Sequence, residues 1–598
     1  MKLPFLVEKS DTLLALFGLS FIIFGWFAFT LALSDLFLTP LLILGALLAF
    51  GIALLFLYRF LLVTTLDFRI VFVLALLYAL LVGLTTEPTI FSGRDQGSIS
   101  EAAYRLAQNG RLVFSLPAGE SFFNLYGEGA ALNFPGFAYT ADGGLITQFP
   151  LPYTAWLGSF VAFFGLSGFV VGNALLLFLF LVTFYALLRL FAHPFYAGAG
   201  TLLTALSFLL VWFSKLTLTE NLALFLFTFL VYNLILFLRE GKFIFYAGAL
   251  LSAGLLAFTR IEGFAFLAAT LLFLIFRPEA RAIWKTYPWK SLVVPGVIFT
   301  FIFLRDFFIN LPYYKVIGKA LTKFWHELGT QSVASDVAVT SSSFSFGSVF
   351  FLYGLLIVFA IGLFGLLVFV RERKWLLLLP ALVALPTFVY LFDPNISLDH
   401  PWMLRRYLFS LFPTLLFSAT LGIALLFAKV REFPIEKPSG KRLVFTSLIF
   451  LSLLFLQYPA WSRALLYTEH QSLRNQVERF SEEFSDKDLI LVDRFATGNG
   501  FAMLSGPTQY LSGKNTVYFF NPYDLKNLDT SRYEKVYLLV PEEGQSRYVS
   551  VFGDRLTFKK SVTFTLEHFE NLSLEEASSL HFPRPVITET RNSLFQIF

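Results

Sequence analysis

The sequence predicts a polytopic α-helical membrane protein of about thirteen transmembrane helices, followed by a C-terminal α/β domain. Three observations carry that expectation. Hydrophobic residues make up 57% of the 598 positions and charged residues 14%, against about 25% charged in soluble domains. Phe alone occurs 77 times, more aromatic surface than soluble domains of this total length could bury. Long apolar runs recur from residue 12 to residue 459, whereas 460–598 has ordinary soluble composition. A cytosolic enzyme and a disordered chain are both excluded. The absence of cysteine removes disulfides, thiolate metal sites and cysteine nucleophiles.

A crossing helix needs roughly 20 apolar residues. The segments that qualify are 12–33, 41–62, 68–86, 169–190, 195–213, 218–238, 243–259, 261–276, 291–309, 347–370, 374–392, 404–428 and 443–459. The first is too long for a cleaved signal peptide and is expected to stay as an anchor. The stretch 151–167 is also apolar, and charge placement decides against its crossing. Lys and Arg favour the cytoplasmic side of short connections. With the N-terminus inside and 151–167 re-entrant or in-plane, Arg59, Arg69, Arg189, Arg239, Lys242, Arg277, Arg281, Lys285, Lys290, Arg371, Arg373, Lys374, Lys429, Arg431, Lys437, Lys441 and Arg442 fall inside. The short outer connections keep little that is basic beyond Lys215 and Arg260. This arrangement places the loops 87–150 and 310–346 and the tail 460–598 outside, in a plasma or cytoplasmic membrane. The tail carries strand-like runs at Leu489–Val492, Thr516–Phe520, Val536–Val540 and Val562–Leu566 with helical stretches between.

Polar residues concentrate in the first outer loop. A short amphipathic helix is expected from Ser98, because Ile99, Ala102, Ala103 and Leu106 share one face. Ser98 and Glu101 form an S-x-x-E capping pattern, Glu101 and Arg105 an i, i+4 pair, and Asn109-Gly110 a stop. An Asp ahead of a helix ordinarily caps it. Ser98 can fill that role here, so for Asp95, in a Gly-flanked turn at a helix end, a functional reading as a base or cation ligand stands level with capping. Other outward polar groups sit at helix ends: Lys215 and Glu220 around Leu216–Thr219, Arg260 and Glu262 in Thr259–Gly263, and His400, Arg405 and Arg406 in Asp399–Tyr407. Ionisable groups at membrane depth are costly and mark functional positions, although for Lys215 snorkelling to the headgroups is the plainer reading. Several basic groups on one face suit a phosphate. Gly498-Asn-Gly500 lacks the spacing of a nucleotide loop, the sequons at Asn395 and Asn571 are of a kind common by chance, and the six His show no metal-ligand spacing.

Taken in order, these blocks resemble the GT-C glycosyltransferases that use a polyprenyl-phosphate-linked sugar, with the protein O-mannosyltransferases and lipid A aminoarabinose transferases as the nearest look-alikes. The matching blocks are Arg94-Asp95-Gln96 with Ser98–Gln108, Gln148–Tyr153, Thr219-Glu220-Asn221, Thr259–Gly263 and, more loosely, Arg405–Pro413. The resemblance implies a GT-C fold and a hexosyl- or pentosyltransferase acting on the extracytoplasmic face. Asp95 would be the base. Arg260, Arg405, Arg406 and Lys215 would hold the donor phosphate. Gln96, Glu101, Tyr153, Glu220, Glu262 and His400 would serve the acceptor or support these groups. The implied partners are a polyprenyl-phosphate sugar, a protein, lipid or glycan acceptor and membrane lipids, and no nucleic acid. Two departures stand out. Gln96 occupies the second acidic position, which leaves a divalent cation (Mg or Mn) open, and two spans beyond the first helix precede the loop. A flippase or transporter for a lipid-linked glycan, or an outward-facing glycan ligase or polymerase, is the competing expectation. The one-sided clustering of charge and the absence of an internal repeat favour the transferase.

Overall fold

The structure is a computed structural model describing residues 9–315, 317–319, 322, 346–392, 396–397, 399–428, 433–573 and 580–598. Most of the 310–346 loop, Lys429, Arg431 and the first sequon's Asn395 lie outside the described residues.

The chain opens with α1 (Lys9–Leu33), α2 (Thr39–Val63) and α3 (Leu66–Leu84). The first loop folds into α4 (Asp95–Asn109), α5 (Pro117–Tyr126) and a small sheet of β1 (Gly129–Ala130), β2 (Phe137–Tyr139) and β3 (Leu145–Thr147). Then come α6 (Leu151–Phe164), α7 (Ser167–Arg189), α8 (Pro194–Ala205), α9 (Phe208–Lys215), α10 (Thr219–Glu240), α11 (Phe243–Thr259), α12 (Glu262–Ile275), α13 (Pro278–Thr286) and α14 (Trp289–Ile309). The second half holds α15 (Phe346–Leu352), α16 (Leu356–Arg371), α17 (Trp375–Ala384), β4 (Asp399–His400), α18 (Arg405–Leu408), α19 (Leu411–Phe427) and α20 (Lys441–Leu466).

All thirteen apolar segments fall on helices, but they are not thirteen equal crossings. Among the described residues α1, α2, α3, α7, α10, α14 and α20 are each long and apolar enough to span a membrane. Three bent pairs raise that number to ten: α8 with α9 (53°), α12 with α13 (86°), and Trp402–Leu408 with α19 (61°). The segments 243–259, 347–370 and 374–392 are shorter helices. The second of these breaks at Gly354, whose φ of +72° suits only glycine well, and α17 contains Pro380. At 14 residues α6 is about 21 Å long, less than the ~30 Å of a bilayer core. It lies buried against α1, α4 and α7.

Burial sorts the helices. Every residue of α10 from Thr219 to Phe237 is buried, so this helix is the bundle axis. In α2 only Leu42, Ala46, Ala49, Ala53 and Phe60 are buried, one stripe at helical spacing, while Leu47, Leu48 and Leu54 stand exposed. An apolar helix with so narrow a buried stripe presents its remainder to lipid. Small residues set close approaches: a Cβ on Gly362 would lie 2.4 Å from Leu415 O, and one on Gly365 2.3 Å from Ser418 O, so α16 packs directly on the backbone of α19.

The C-terminal part holds α21 (Leu473–Ser481), β5 (Leu489–Val492), α22 (Ser505–Ser512), β6 (Asn515–Tyr518), β7 (Val536–Pro541), α23 (Gln545–Phe552), β8 (Leu556–Phe569), β9 (Leu572–Ser573) and β10 (Pro585–Ile597). Its mixed sheet runs β6-β5-β7-β10-β8, with β5 parallel to both neighbours and β10 antiparallel to β7 and β8. The four anticipated strands are present, and β10 is an addition. Side chains alternate along β5. Leu489 and Leu491 share a core with Val517, Leu538 and, from the first loop, Phe122, Phe137 and Leu145. Ile490 and Val492 join the main core. Both faces of the strand are therefore covered, and one is covered by the first loop.

Candidate active site

The site forms where α4, α10, the α11–α12 turn and α18 meet. The helix α4 begins at Asp95, three residues before the expected start at Ser98, and Arg94 is its N-cap without a side-chain cap bond. The S-x-x-E pattern makes no capping box. Ser98 Oγ donates to Pro135 O (3.0 Å) and Glu101 takes Arg105 instead (3.2 Å). The early start depends on Gly97, where a Cβ would lie 1.8 Å from Ser92 O. The C-terminal end is as anticipated, with Gly110 at φ +69°. Asp95 thus sits in the first turn, where the helix dipole favours a carboxylate. Its side chain is 36% exposed, and Oδ2 accepts from Arg405 Nη1 at 2.6 Å.

Behind this pair lies a buried chain of charges. Glu220 Oε1 is 2.7 Å from Arg260 Nη1 and 3.9 Å from Arg405 Nε. Arg260 also clasps Glu262 through Nε (3.2 Å) and Nη2 (3.0 Å) and donates to Thr219 Oγ1 (3.3 Å). Arg406 Nη1 stands 3.7 Å from Glu262 Oε1, which also accepts from Tyr390 OH (2.5 Å). Rings cover the guanidiniums: Arg260 lies over Phe409 at 4.5 Å, Arg405 over Trp402 at 4.1 Å and Arg406 over Tyr390 at 5.6 Å. Three carboxylates and three guanidiniums alternate, so the cluster is close to neutral. Arg405 Nε and Arg406 Nε are buried without a hydrogen-bond acceptor among the described residues. Buried donors of that kind call for a partner, and an anion is the natural one.

The structure takes other expected residues elsewhere. Lys215 does not join the arginine–carboxylate cluster: Nζ donates to the carbonyls of Leu465 (2.8 Å) and Tyr467 (3.1 Å), capping α20, whose C-terminal carbonyls lack intrahelical partners. Gln96 is buried, with Oε1 lacking a partner among the described residues, and its carbonyl accepts from Thr217 and Ser100 hydroxyls. Tyr153 is buried in α6 and donates to Asn173 Oδ1 (2.6 Å). Glu101 lines the seam with the C-terminal domain near Gly506, where burial pushes its carboxyl up and Arg105 offsets the shift only in part. His400 faces Tyr353 OH (2.9 Å) rather than the cluster.

No protein-family model matches the chain, and no curated protein does. Among solved structures the chain is similar to ArnT from Cupriavidus metallidurans bound to undecaprenyl phosphate, with TM-score 0.47 and 10% identity, covering 89% of this chain and 98% of that one. The apo state of the same protein gives TM-score 0.46 and 10% identity over 88% and 97%. The Archaeoglobus fulgidus oligosaccharyltransferase tethered with an acceptor peptide gives TM-score 0.46 and 15% identity over 81% and 70%.

A divalent cation finds a poor donor set here. Asp95, Glu220 and Glu262 each already face a guanidinium. Among the described residues no group of three or more His, Asp or Glu side chains is placed to hold a metal ion. Sequence reasoning missed Tyr390, Asp399, Trp402 and Arg94. Arg94 pairs with Asp399 and lies between Trp402 (4.8 Å) and Phe501 (3.9 Å). Asp399 and Trp402 stood inside a segment already noted, but pairings between distant positions leave no periodic trace.

Proposed function

We propose that the chain is a membrane glycosyltransferase that moves a sugar from a polyprenyl-phosphate donor to an acceptor on the extracytoplasmic face, with the N-terminus cytoplasmic. The observation that carries this reading is one partly exposed carboxylate, Asp95, held 2.6 Å from an arginine at the edge of a buried arginine–glutamate network. Arg405 and Arg406, each with a buried Nε that has no acceptor among the described residues, bind the donor phosphate. Arg260 is engaged by Glu220 and Glu262 and orients the others, which supports assigning the phosphate to Arg405 and Arg406.

In the reaction, the acceptor O–H gives its proton to Asp95 while its oxygen bonds to the anomeric carbon. The bond from that carbon to the phosphate oxygen breaks, and its electron pair leaves on the phosphate. Phosphate is a sufficient leaving group without protonation, so one carboxylate suffices where a glycoside hydrolase needs two. Arg405 and Arg406 stabilise the growing charge. A single displacement inverts the anomeric centre.

The test is radiolabelled polyprenyl-phosphate sugar in proteoliposomes with crude envelope acceptors. Label appearing in acceptor supports the reading. Label crossing the bilayer while still on lipid overturns it in favour of a flippase.

A further inference from the structure

The segment before Asp95 is tied to the C-terminal domain by backbone pairing. Gly93 N–H donates to Phe501 O (2.6 Å), Met503 N–H donates to Phe91 O (2.7 Å), and Ser92 bridges Ala502 antiparallel between them. The segment before Arg405 is tied in the same way, because β4 pairs antiparallel with β9, Asp399 facing Ser573 and His400 facing Leu572. Between the two ties lies Arg94. Phe501 covers one side of its guanidinium, Trp402 also packs on it, and Asp399 takes its charge. Trp402 also carries the Arg405 guanidinium at 4.1 Å. Arg94 therefore contacts one residue from the C-terminal domain, two from the segment that leads to Arg405, and is itself the chain neighbour of Asp95. With its charge paired and only 13% of its side chain exposed, it is placed to support its neighbours rather than to hold a substrate.

We propose that Arg94 is a positioning residue, and that the C-terminal domain, through Phe501 and β9, fixes Asp95 against Arg405. The kinetic part of this inference rests on the glycosyltransferase reading; the structural part does not. Both guanidiniums pack on one tryptophan, which gives a shift of the 499–503 segment a route through Arg94 and Trp402 to both members of the pair. A misplacement of about 1 Å can cost a hundredfold in rate.

Hydrogen exchange in lipid nanodiscs tests the structural part without any substrate. Phe501→Ala and Arg94→Gln are expected to raise exchange at least tenfold both in residues 93–99 and in 402–408, with α10 unchanged, and Phe501→Tyr restores protection. Faster exchange confined to 499–503 overturns the proposal. In the transfer assay the same two variants lower kcat about ten- to a hundredfold and raise donor KM with it, because Arg405 shifts together with Asp95, and Phe501→Tyr recovers both. Unchanged kcat per folded molecule overturns the positioning role. If the wild-type chain transfers no sugar, the function reading fails while the exchange experiment still decides this one.

Discussion

Arg405 reaches Asp95 across 310 positions of sequence, placing Nη1 2.6 Å from Oδ2. The pair is asymmetric: the arginine side chain is 10% exposed and the aspartate 36%. The buried member is anchored by Trp402 and Glu220, which leaves the carboxylate as the member open to an incoming hydroxyl.

Asp95→Asn keeps the volume and removes the base. Transfer should fall at least about a thousandfold, within the range of a lost general base. A partly exposed ion pair contributes at most about 1 kcal/mol, so the thermal midpoint in detergent should barely move. Full activity in this variant would refute the assignment.

The two arginines proposed to hold the donor phosphate should differ in what replaces them. Arg405 stacks on Trp402, pairs with Asp95 and approaches Glu220, a planar task that an ammonium cannot repeat. Arg405→Lys is expected to lose donor affinity and kcat together. Arg406 is more exposed, at 21%, and Arg406→Lys should keep most of the charge attraction, raising donor KM by under about tenfold with kcat near wild type. Steady-state kinetics over donor concentration separate the two patterns.

Arg260 is the stability element of the cluster. Arg260→Leu leaves Glu220 and Glu262 buried opposite a missing charge, and such a half-broken network costs about 3–5 kcal/mol. The expected outcome is loss of monodisperse protein. Lys215→Met removes only the cap on α20, costing about 1 kcal/mol and leaving catalysis intact, because its ammonium touches no member of the cluster. Size-exclusion profiles and thermal midpoints of both variants check this contrast.

What the sequence left unread has physical causes. Helix identity follows from apolar runs, and all thirteen runs are helical. Span number does not follow, because Gly354 breaks one run and another leaves the α-helical path after Ala384, although both look continuous in composition. The candidates Asp95, Glu220, Arg260, Glu262, Arg405 and Arg406 come together because costly charges at helix ends converge on one site. Lys215 obeyed the same rule yet serves a helix end, since a lysine satisfies free carbonyls as readily as an anion. The start of α4 was misplaced because Asp95–Gly97 carries no apolar periodicity; it is held by Gly97 against Ser92. The strand β10 was missed because its first seven residues, Pro585–Arg591, alternate only between exposed and half-buried positions, with no apolar stripe to announce them.

Gly97→Ala tests that start directly. The added methyl would sit 1.8 Å from Ser92 O, and a backbone oxygen cannot step aside without moving the turn. The turn carries Asp95, so kcat should fall by about tenfold or more, while the distant α1–α2 packing is untouched. Proteolysis within 87–97 should quicken in parallel.

The junction between bundle and C-terminal domain should loosen in acid. His400 is buried and pairs with the domain through β4. Burial, reinforced by His581 and only partly offset by Asp399, pushes its imidazole down to about 4 from the ordinary 6.5. His470 is lowered to about 4 as well, by burial and by His568. Between pH 4 and 6.5 the unfolded chain holds protons on these rings that the folded chain does not, so each step of acidification in that window favours unfolding. The stabilisation is complete above 6.5 and shrinks toward 4, by up to about 3 kcal/mol for His400 alone. His400→Gln can keep a hydrogen bond to Tyr353 OH without a titrating group. The thermal midpoint of the wild type should drop between pH 6.5 and 4.5, and that of the variant should drop less; identical slopes would show that the acid sensitivity lies in other groups.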